Sequence, residues 1–174
     1  LNALDGRTSG TVNANPINTL SGSAADLITA YASGGISNLG NEAINVNSGS
    51  ASTSQANTLA AATSGVVTAT ISDGDMATLA GLTETGNAYT ITITDTSVAA
   101  AALNTLDGKT TVVIDTSNIN TLTGSAEDIN TAYASSGISG LPDIVKPTLS
   151  SSTPADNATE VVGNSNIVFN FSEA

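Results

Sequence analysis

An internal duplication constrains this chain more than any other feature of its sequence. Residues 4–39 align without gaps to residues 106–141 at an offset of 102, and 21 of those 36 positions are identical. The shared motifs are Leu-Asp-Gly, Ile-Asn-Thr-Leu, Gly-Ser-Ala-x-Asp and Thr-Ala-Tyr-Ala-Ser. Similarity of this length at a fixed spacing predicts a repeat architecture, in which similar units pack against one another.

A more divergent copy lies between the two similar ones. The Asn-Thr-Leu of residues 57–59 matches residues 104–106, and Ile-x-Val at 44–46 matches Ile-x-Ile at 91–93, both at an offset of 47. The units therefore begin near Leu4, Leu59 and Leu106. A period of about 50 residues is typical of a stacked array or solenoid. Because the chain opens inside the pattern, we expect it to be a segment of a longer protein.

Each unit is predicted to contain two strand–helix pairs. Five short segments are rich in Val, Ile and Thr, which suits the pleated surface of a sheet. These predicted strands are Thr11–Ala14, Ala43–Asn47, Val66–Ser72, Tyr89–Thr94 and Thr111–Asp115.

The segments between the strands have helical spacing. In Asp95–Leu106 the predicted apolar face consists of Ala99, Ala102, Leu103 and Leu106, and Gly108 provides the stop. In Ser23–Ser33 the predicted N-cap is Ser23 with Asp26, and the apolar face is Leu27, Ala30 and Tyr31. Ser125 and Asp128 repeat this cap.

Strands that alternate with short helices predict an α/β fold: a tandem-repeat solenoid of short parallel strands and short helices over residues 1–141. One strand and one Ala-lined helix bury too little surface to offset about 1.5 kcal/mol per ordered residue, so each unit depends on its neighbours. The competing fold is an all-β helix. That fold would place the alanine runs at 60–62 and 99–102 in strands, where Ala is depleted.

Composition excludes several classes of function. The chain has no His and no Cys, which excludes thiol nucleophiles, Ser-His-Asp triads and zinc fingers. It carries 3 Lys+Arg against 15 Asp+Glu, too few cations to neutralise a row of phosphates, so nucleic-acid binding is not expected. No run of 18 apolar residues is present, so membrane insertion is not expected. We therefore expect a protein that is not an enzyme.

The repeat pattern stops at Leu141. Residues 142–146 are predicted to be a linker, Pro154–Ala158 a turn-rich connector and Asn166–Ser172 a strand.

The run Lys146–Ala174 resembles the opening of a bacterial Ig-like domain of the surface-layer type. The resemblance rests on Pro-Thr at 147–148, Pro-Ala-Asp-x-Ala at 154–158 and Asn-Ile-x-x-x-Phe-Ser-Glu at 166–173. It implies an all-β sandwich, of which 147–174 would be only the first strands, and a role as a spacer in a large secreted protein. The units of residues 1–141 are similar to the Ala/Thr-rich tandem repeats of giant cell-surface proteins of marine bacteria and cyanobacteria.

Asp73 and Asp75 are the candidate calcium ligands, although the loop spacing of an EF-hand is missing. The alternative is that one of them caps a helix that begins near Met76. Asp5 and Asp107 are interpreted as turn residues at helix ends, with a ladder of calcium sites as the alternative. No catalytic residue and no other cofactor is predicted.

Three further features were weighed as candidate sites. Tyr31 and Tyr133 occupy one repeat position and are predicted to anchor a helix face in the core. Arg7 and Lys109 share another position, which favours a structural role at a helix end. The acidic residues lie scattered at turns and caps, which favours solvation of the surface over the paired carboxylates of a glycosidase.

These observations predict a non-catalytic structural segment: a spacer, shaft or adhesin stalk of a large extracellular surface or filament protein. Its expected partners are neighbouring repeats and further Ig-like modules of the same chain, with self-association into filaments as a further expectation. The alternatives are a virion fibre or tail-shaft component and, third, an enzyme that acts on surface glycans.

Overall fold

The computed structural model describes residues 1–143, 149–153 and 168–171, and these residues form a mixed α/β structure. Within them lie six helices: α1 Asn2–Asp5, α2 Ala24–Ala32, α3 Thr53–Ala62, α4 Met76–Leu79, α5 Ala100–Asp107 and α6 Ala126–Ala134. The strands up to residue 142 are β1 Val12–Asn13, β2 Thr19–Gly22, β3 Ile36–Ser37, β4 Ala43–Val46, β5 Val67–Thr70, β6 Ala88–Thr90, β7 Ser97–Ala99, β8 Ile114–Asp115, β9 Thr121–Thr123 and β10 Ile138–Ser139. The predicted α/β class is confirmed, and residues 60–62 and 100–102 are helical.

The strands between Leu1 and Pro142 pair in parallel with a nearly constant offset along the chain. The largest sheet has the order β2-β4-β5-β6, and the two-stranded sheets are β1-β3, β7-β9 and β8-β10. Paired residues lie 20 to 24 positions apart, from Val12 with Ile36 to Ile114 with Ile138. Two such offsets make up one predicted unit of about 50 residues. The stacking of all these pairs into one solenoid stays a prediction.

The shortest offset coincides with the shortest of the internal helices. Residues of β5 pair with residues of β6 that lie 20 positions later, and the intervening α4 has four residues. Val67 consequently aligns with Asn87, although the match at an offset of 47 would bring Ile44 into register with Ile91. A short helix shortens the path between two strands, and this changes the register.

The helix predicted at Asp95–Leu106 begins later than expected. Residues 97–99 form β7, which pairs with β9, so α5 starts only at Ala100 and ends before Gly108. Its buried residues are Ala100, Leu103 and Leu106, whereas Ala99 and Ala102 are exposed, contrary to the predicted face. The predicted N-caps of α2 and α6 are confirmed, since the Ser23 and Ser125 side chains accept hydrogen bonds from backbone amides.

Each of the five strands predicted in residues 11–115 contains an observed strand, but most are shorter than predicted. Tyr89–Thr94, for example, contains the end of β6 and then an isolated bridge at Thr92. The sequence prediction missed β2, β3, β7, β9 and β10. These strands have two to four residues, too few for an alternating pattern to be recognised.

The core consists of side chains from one face of the helices and from alternate strand positions. The helices contribute Leu27, Leu59, Leu79 and Leu103, and the strand regions contribute Ile44, Val67, Ile91 and Ile114. Alanines such as Ala56 and Ala69 occupy the positions between them. Small side chains allow the helices to lie close to the strands, which fits the expected narrow core.

The chain divides into two compact units, Leu1–Pro142 and Asp143–Ala174. In the second unit, β11 Leu149–Thr153 and β12 Val168–Phe171 form an antiparallel pair with an irregularity between Leu149 and Ser151. The strand predicted at Asn166–Ser172 is thus observed at 168–171. Most of the predicted linker and the connector Pro154–Ala158 lie outside the described residues.

Candidate functional site

The two acidic residues of the predicted calcium site accept hydrogen bonds from helix amides. Asp75 is the N-cap of α4, and its Oδ1 accepts from the Thr78 amide at 2.9 Å, which confirms the alternative prediction of a cap near Met76. The hydrogen bonds from Thr78 hold the pKa of the Asp75 carboxyl below its usual range. Asp73 Oδ2 accepts from the amide of Thr53, the first residue of α3, at 2.7 Å.

Asp95 repeats the contact of Asp73 one helix further along, since its Oδ2 accepts from the Met76 amide at 2.6 Å. Across the residues that the structure describes, no three side chains of His, Cys, Asp or Glu come together in a group that could hold a metal ion. The calcium hypothesis for Asp73 and Asp75 stays a prediction, whereas their role in capping is visible.

Asp5 and Asp107 end α1 and α5, as predicted, and each binds a serine 28 residues later. The Ser33 hydroxyl donates to Asp5 Oδ2 at 2.6 Å, and the Ser135 hydroxyl donates to Asp107 Oδ2 at 2.7 Å. Each serine is the C-cap of the next long helix, α2 or α6. The carboxylates therefore join the end of one helix to the end of the next.

A glycine completes each of these contacts. The Ser33 hydroxyl accepts from the Gly35 amide at 3.0 Å, and a Cβ at Gly35 would overlap Asp5 Oδ1. Gly137 has the same relation to Asp107. Glycine is required here because the carboxylate occupies the space of a side chain, and neither glycine has a positive φ.

A related contact without the acid occurs in the middle of the chain. The Thr63 hydroxyl, at the end of α3, donates to the Glu42 carbonyl at 2.6 Å and accepts from the Gly65 amide at 3.0 Å. A Cβ at Gly65 would overlap the Glu42 backbone. The acceptor here is main chain, which moves less easily than a side chain.

Three asparagines form a second set of links that the sequence analysis missed. Each side-chain amide donates to the backbone carbonyl 24 residues later: Asn2 to Asp26 at 2.8 Å, Asn57 to Gly81 at 2.7 Å and Asn104 to Asp128 at 2.9 Å. The recurring Asn-x-Leu motif was the available signal, but sequence similarity alone does not reveal which carbonyl the amide meets.

Glu42 is a buried carboxylate that the sequence analysis also missed. Its side chain is 1% exposed, accepts from the Tyr31 hydroxyl, and accepts from the amides of Gly40 at 3.0 Å and Asn41 at 3.3 Å. Burial alone raises the pKa of Glu42, but these hydrogen bonds outweigh it and lower the pKa. The pKa of Tyr31 is raised by burial and by the adjacent Glu42.

The counterparts of the Tyr31 and Arg7 positions in the second copy also bind backbone carbonyls. The Tyr133 hydroxyl donates to the carbonyl of Pro142. Lys109 Nζ donates to the carbonyl of Thr83 at 2.9 Å. Tyr31 and Tyr133 are half-buried on their helices, consistent with anchoring, and Lys109 has the structural role that was predicted for its repeat position.

Tyr89 is the largest fully buried side chain and its hydroxyl has no hydrogen-bond partner among the described residues. Burial, with a smaller contribution from Glu84, raises the pKa of Tyr89 to about 12. A phenol with this pKa stays protonated at neutral pH and does not serve as a general base there.

Most of the side chains that were candidates for chemistry thus serve as links between helices and strands about 24 residues apart. Comparison with protein-family models, with curated proteins and with solved structures gives no match for this chain. Within its described part, no helix has the length and hydropathy needed to cross a membrane. The geometry supports a structural role more directly than a catalytic one.

Three glycine substitutions should destabilise the protein in a defined order. Gly34→Ala meets no atom within 4 Å and should be neutral or stabilise by about 0.5 kcal/mol. Gly35→Ala forces Asp5 away from Ser33 and should cost about 1–2 kcal/mol, the value of a charged hydrogen bond. Gly65→Ala overlaps main chain and should cost about 3 kcal/mol or more. Urea unfolding of the four proteins measures the order.

A double variant tests the cause of the Gly35 effect. In an Asp5→Ala background the overlap is gone, so Gly35→Ala should cost nearly nothing there. Equal costs in the two backgrounds would show that the carboxylate is not the group that requires glycine.

Acid should weaken the Glu42 contact in a way that a matched tyrosine variant isolates. Because the folded-state pKa of Glu42 is lowered, its stabilisation is present above the unfolded pKa and is lost as pH falls through the folded pKa. Tyr31→Phe should therefore cost about 1.5–3 kcal/mol at pH 7 and less at pH 3. Tyr133→Phe, which loses a bond to a neutral carbonyl, should cost about 1 kcal/mol at both pH values. Two parallel pH profiles of unfolding would contradict this assignment.

If Asp73 and Asp75 act only as caps, calcium should not affect stability. We expect the same melting temperature in EDTA and in millimolar Ca²⁺, and a loss of about 1 kcal/mol in Asp75→Ala under both conditions. A melting temperature several degrees lower in EDTA, with the difference abolished by Asp73→Asn, would establish the calcium site instead.

Proposed function

We propose that residues 1–142 form a solenoid that acts as a mechanical spacer or shaft in a large secreted surface or filament protein. The observation that carries the proposal is the parallel pairing of strands at 20 to 24 residues throughout this unit. One coil is defined as one such offset: a helix, the strand or strands that follow it, and the return to the next helix.

Parallel pairing at a short offset builds length from few side chains. Neighbouring strands lie about 4.8 Å apart, so each coil adds that distance along the stack. Every coil is joined to the next by backbone hydrogen bonds and by side-chain bonds such as Asn57 to Gly81 and Ser135 to Asp107. A rod with links at each coil resists extension along its axis, which is what a spacer requires.

The chemistry of the acidic residues supports a role that is not enzymatic. Asp5, Asp73, Asp75, Asp95 and Asp107 each accept a hydrogen bond from the protein itself. A catalytic carboxylate must instead meet a substrate. We propose that the remaining negative charge keeps the shaft soluble, and that its partners are neighbouring repeats of the same long chain.

The second unit supports the Ig-like part of the proposal in outline. β11 and β12 are antiparallel, which is the pairing that a sandwich requires. We propose that such modules follow the solenoid as further spacers, and that the assembled protein lies outside the cell.

Pulling the chain from its two ends should release the solenoid coil by coil. A coil of 20 to 24 residues extends to about 70–85 Å, because one residue spans at most about 3.5 Å. Single-molecule force spectroscopy should therefore show successive steps of this length. One event that releases the entire first unit would contradict a stack of separable coils.

Immunogold labelling with an antibody against the 174-residue chain tests the location. Gold on the cell envelope of the source organism, or on filaments that leave it, is expected for a spacer. Gold confined to virus particles would replace the proposal with a shaft of a virion fibre. Gold confined to the cell interior would contradict both.

A further inference from the structure

The first coil presents an apolar surface whose counterpart in the second copy is covered. This N-terminal face consists of Leu1, Leu4 and Leu20. The duplication relates these residues, at an offset of 102, to Leu103, Leu106 and Leu122. The chain therefore contains the same surface twice, once at the start of the first unit and once in its interior.

Exposure differs sharply between the two copies. Leu4 is 57% exposed, whereas Leu106 is 2% exposed. Leu1 is half-buried, whereas Leu103 is fully buried. An open cavity of about 340 Å³ lies at this face, lined among others by Leu1, Leu20 and Leu27. The face thus has the side chains of a coil-to-coil interface.

The interior copy shows which kind of segment fits this surface. β9 pairs in parallel with β7, and the Thr121 amide donates to the Thr96 carbonyl at 3.1 Å. Behind β7, α5 begins at Ala100, which lies against Gly124. In the first copy the strand equivalent to β9 is β2, and it is the end strand of its sheet, bonded to β4 alone.

The opposite end of the first unit has a different chemistry. In α2, Ile28 packs against the core, and its counterpart in α6 is Asn130, which is exposed. Glu127 of α6 likewise replaces Ala25. A second copy that approached with its α6 would bring polar and charged side chains towards Leu1 and Leu4. An uncharged partner suits the face better.

We propose that the N-terminal face is a docking surface for a strand–helix coil with the chemistry of residues 79–102. Its strand, like Ser97–Ala99, pairs in parallel with the free edge of β2. Its alanine-rich helix start, like Ala100–Ala102, covers Leu1 and Leu4. This inference rests on the solenoid of the proposed function, for which it names the partner and the site.

A graft within the full chain tests the fit directly. A copy of residues 79–102 placed before Leu1 reproduces the junction between Ala102 and Leu103, because Leu1 is the counterpart of Leu103. The protein has no cysteine, so Leu4→Cys introduces a unique thiol. We expect the graft to slow labelling of this thiol by about tenfold or more, since labelling would then require local opening. We also expect the melting temperature to rise.

The matched control is the same graft with Val98→Asp in the grafted copy, since the native Val98 is buried. It should label as fast as the ungrafted Leu4→Cys chain. Labelling that is equally fast with and without the graft would overturn the proposal.

Sedimentation of the ungrafted chain separates this occupant from a second copy. We expect a monomer. A dimer that Leu4→Glu dissociates would assign the face to a second copy and overturn the proposed occupant. The test is independent of cellular location: docking of the graft with gold inside the cell would refute the extracellular spacer alone, and stepwise unfolding without docking would refute this inference alone.

Discussion

Hydrogen bonds between residues about 24 positions apart determine the structure of the first unit. The strands that they join have two to four residues, too short to be stable as isolated pairs. Parallel strands also need a crossover connection, and the short helices provide it within one offset. Each strand is thus held by the one before it and the one after it, and stability comes from the sequence of contacts rather than from one large core.

The side-chain links follow from the same geometry. A helix end that lies above another helix end offers a hydroxyl, a carboxylate and a backbone carbonyl at nearly the same height. Asp5 with Ser33 and Asp107 with Ser135 use the carboxylate, while Thr63 uses the Glu42 carbonyl. The glycine two residues after each hydroxyl leaves the space that the acceptor occupies. An acidic composition therefore has a structural reason in addition to solubility.

Small side chains permit this close stacking and also make its register adjustable. Where α4 shortens to four residues the strand offset falls to 20, and where α5 has eight residues it is 24. Such variation is tolerated because each coil contacts only its neighbours. The exposed Leu4 and the buried Leu106 show how strongly the environment of one repeat position depends on whether a neighbouring coil is present.

The sequence by itself determined the repeat, the alternation of strands and helices, and the caps at Ser23, Ser125 and Asp75, because periodicity and capping are local properties. It did not determine that residues 97–99 leave the helix to pair with 121–123, since that pairing depends on a strand 24 residues away. Nor did it locate the buried Glu42, whose carboxylate is stable there only because Tyr31 and two backbone amides meet it in the folded chain. Contacts between residues far apart in sequence decide burial, and burial decides what an ionisable group or an apolar face can do; only the tertiary structure supplies those contacts.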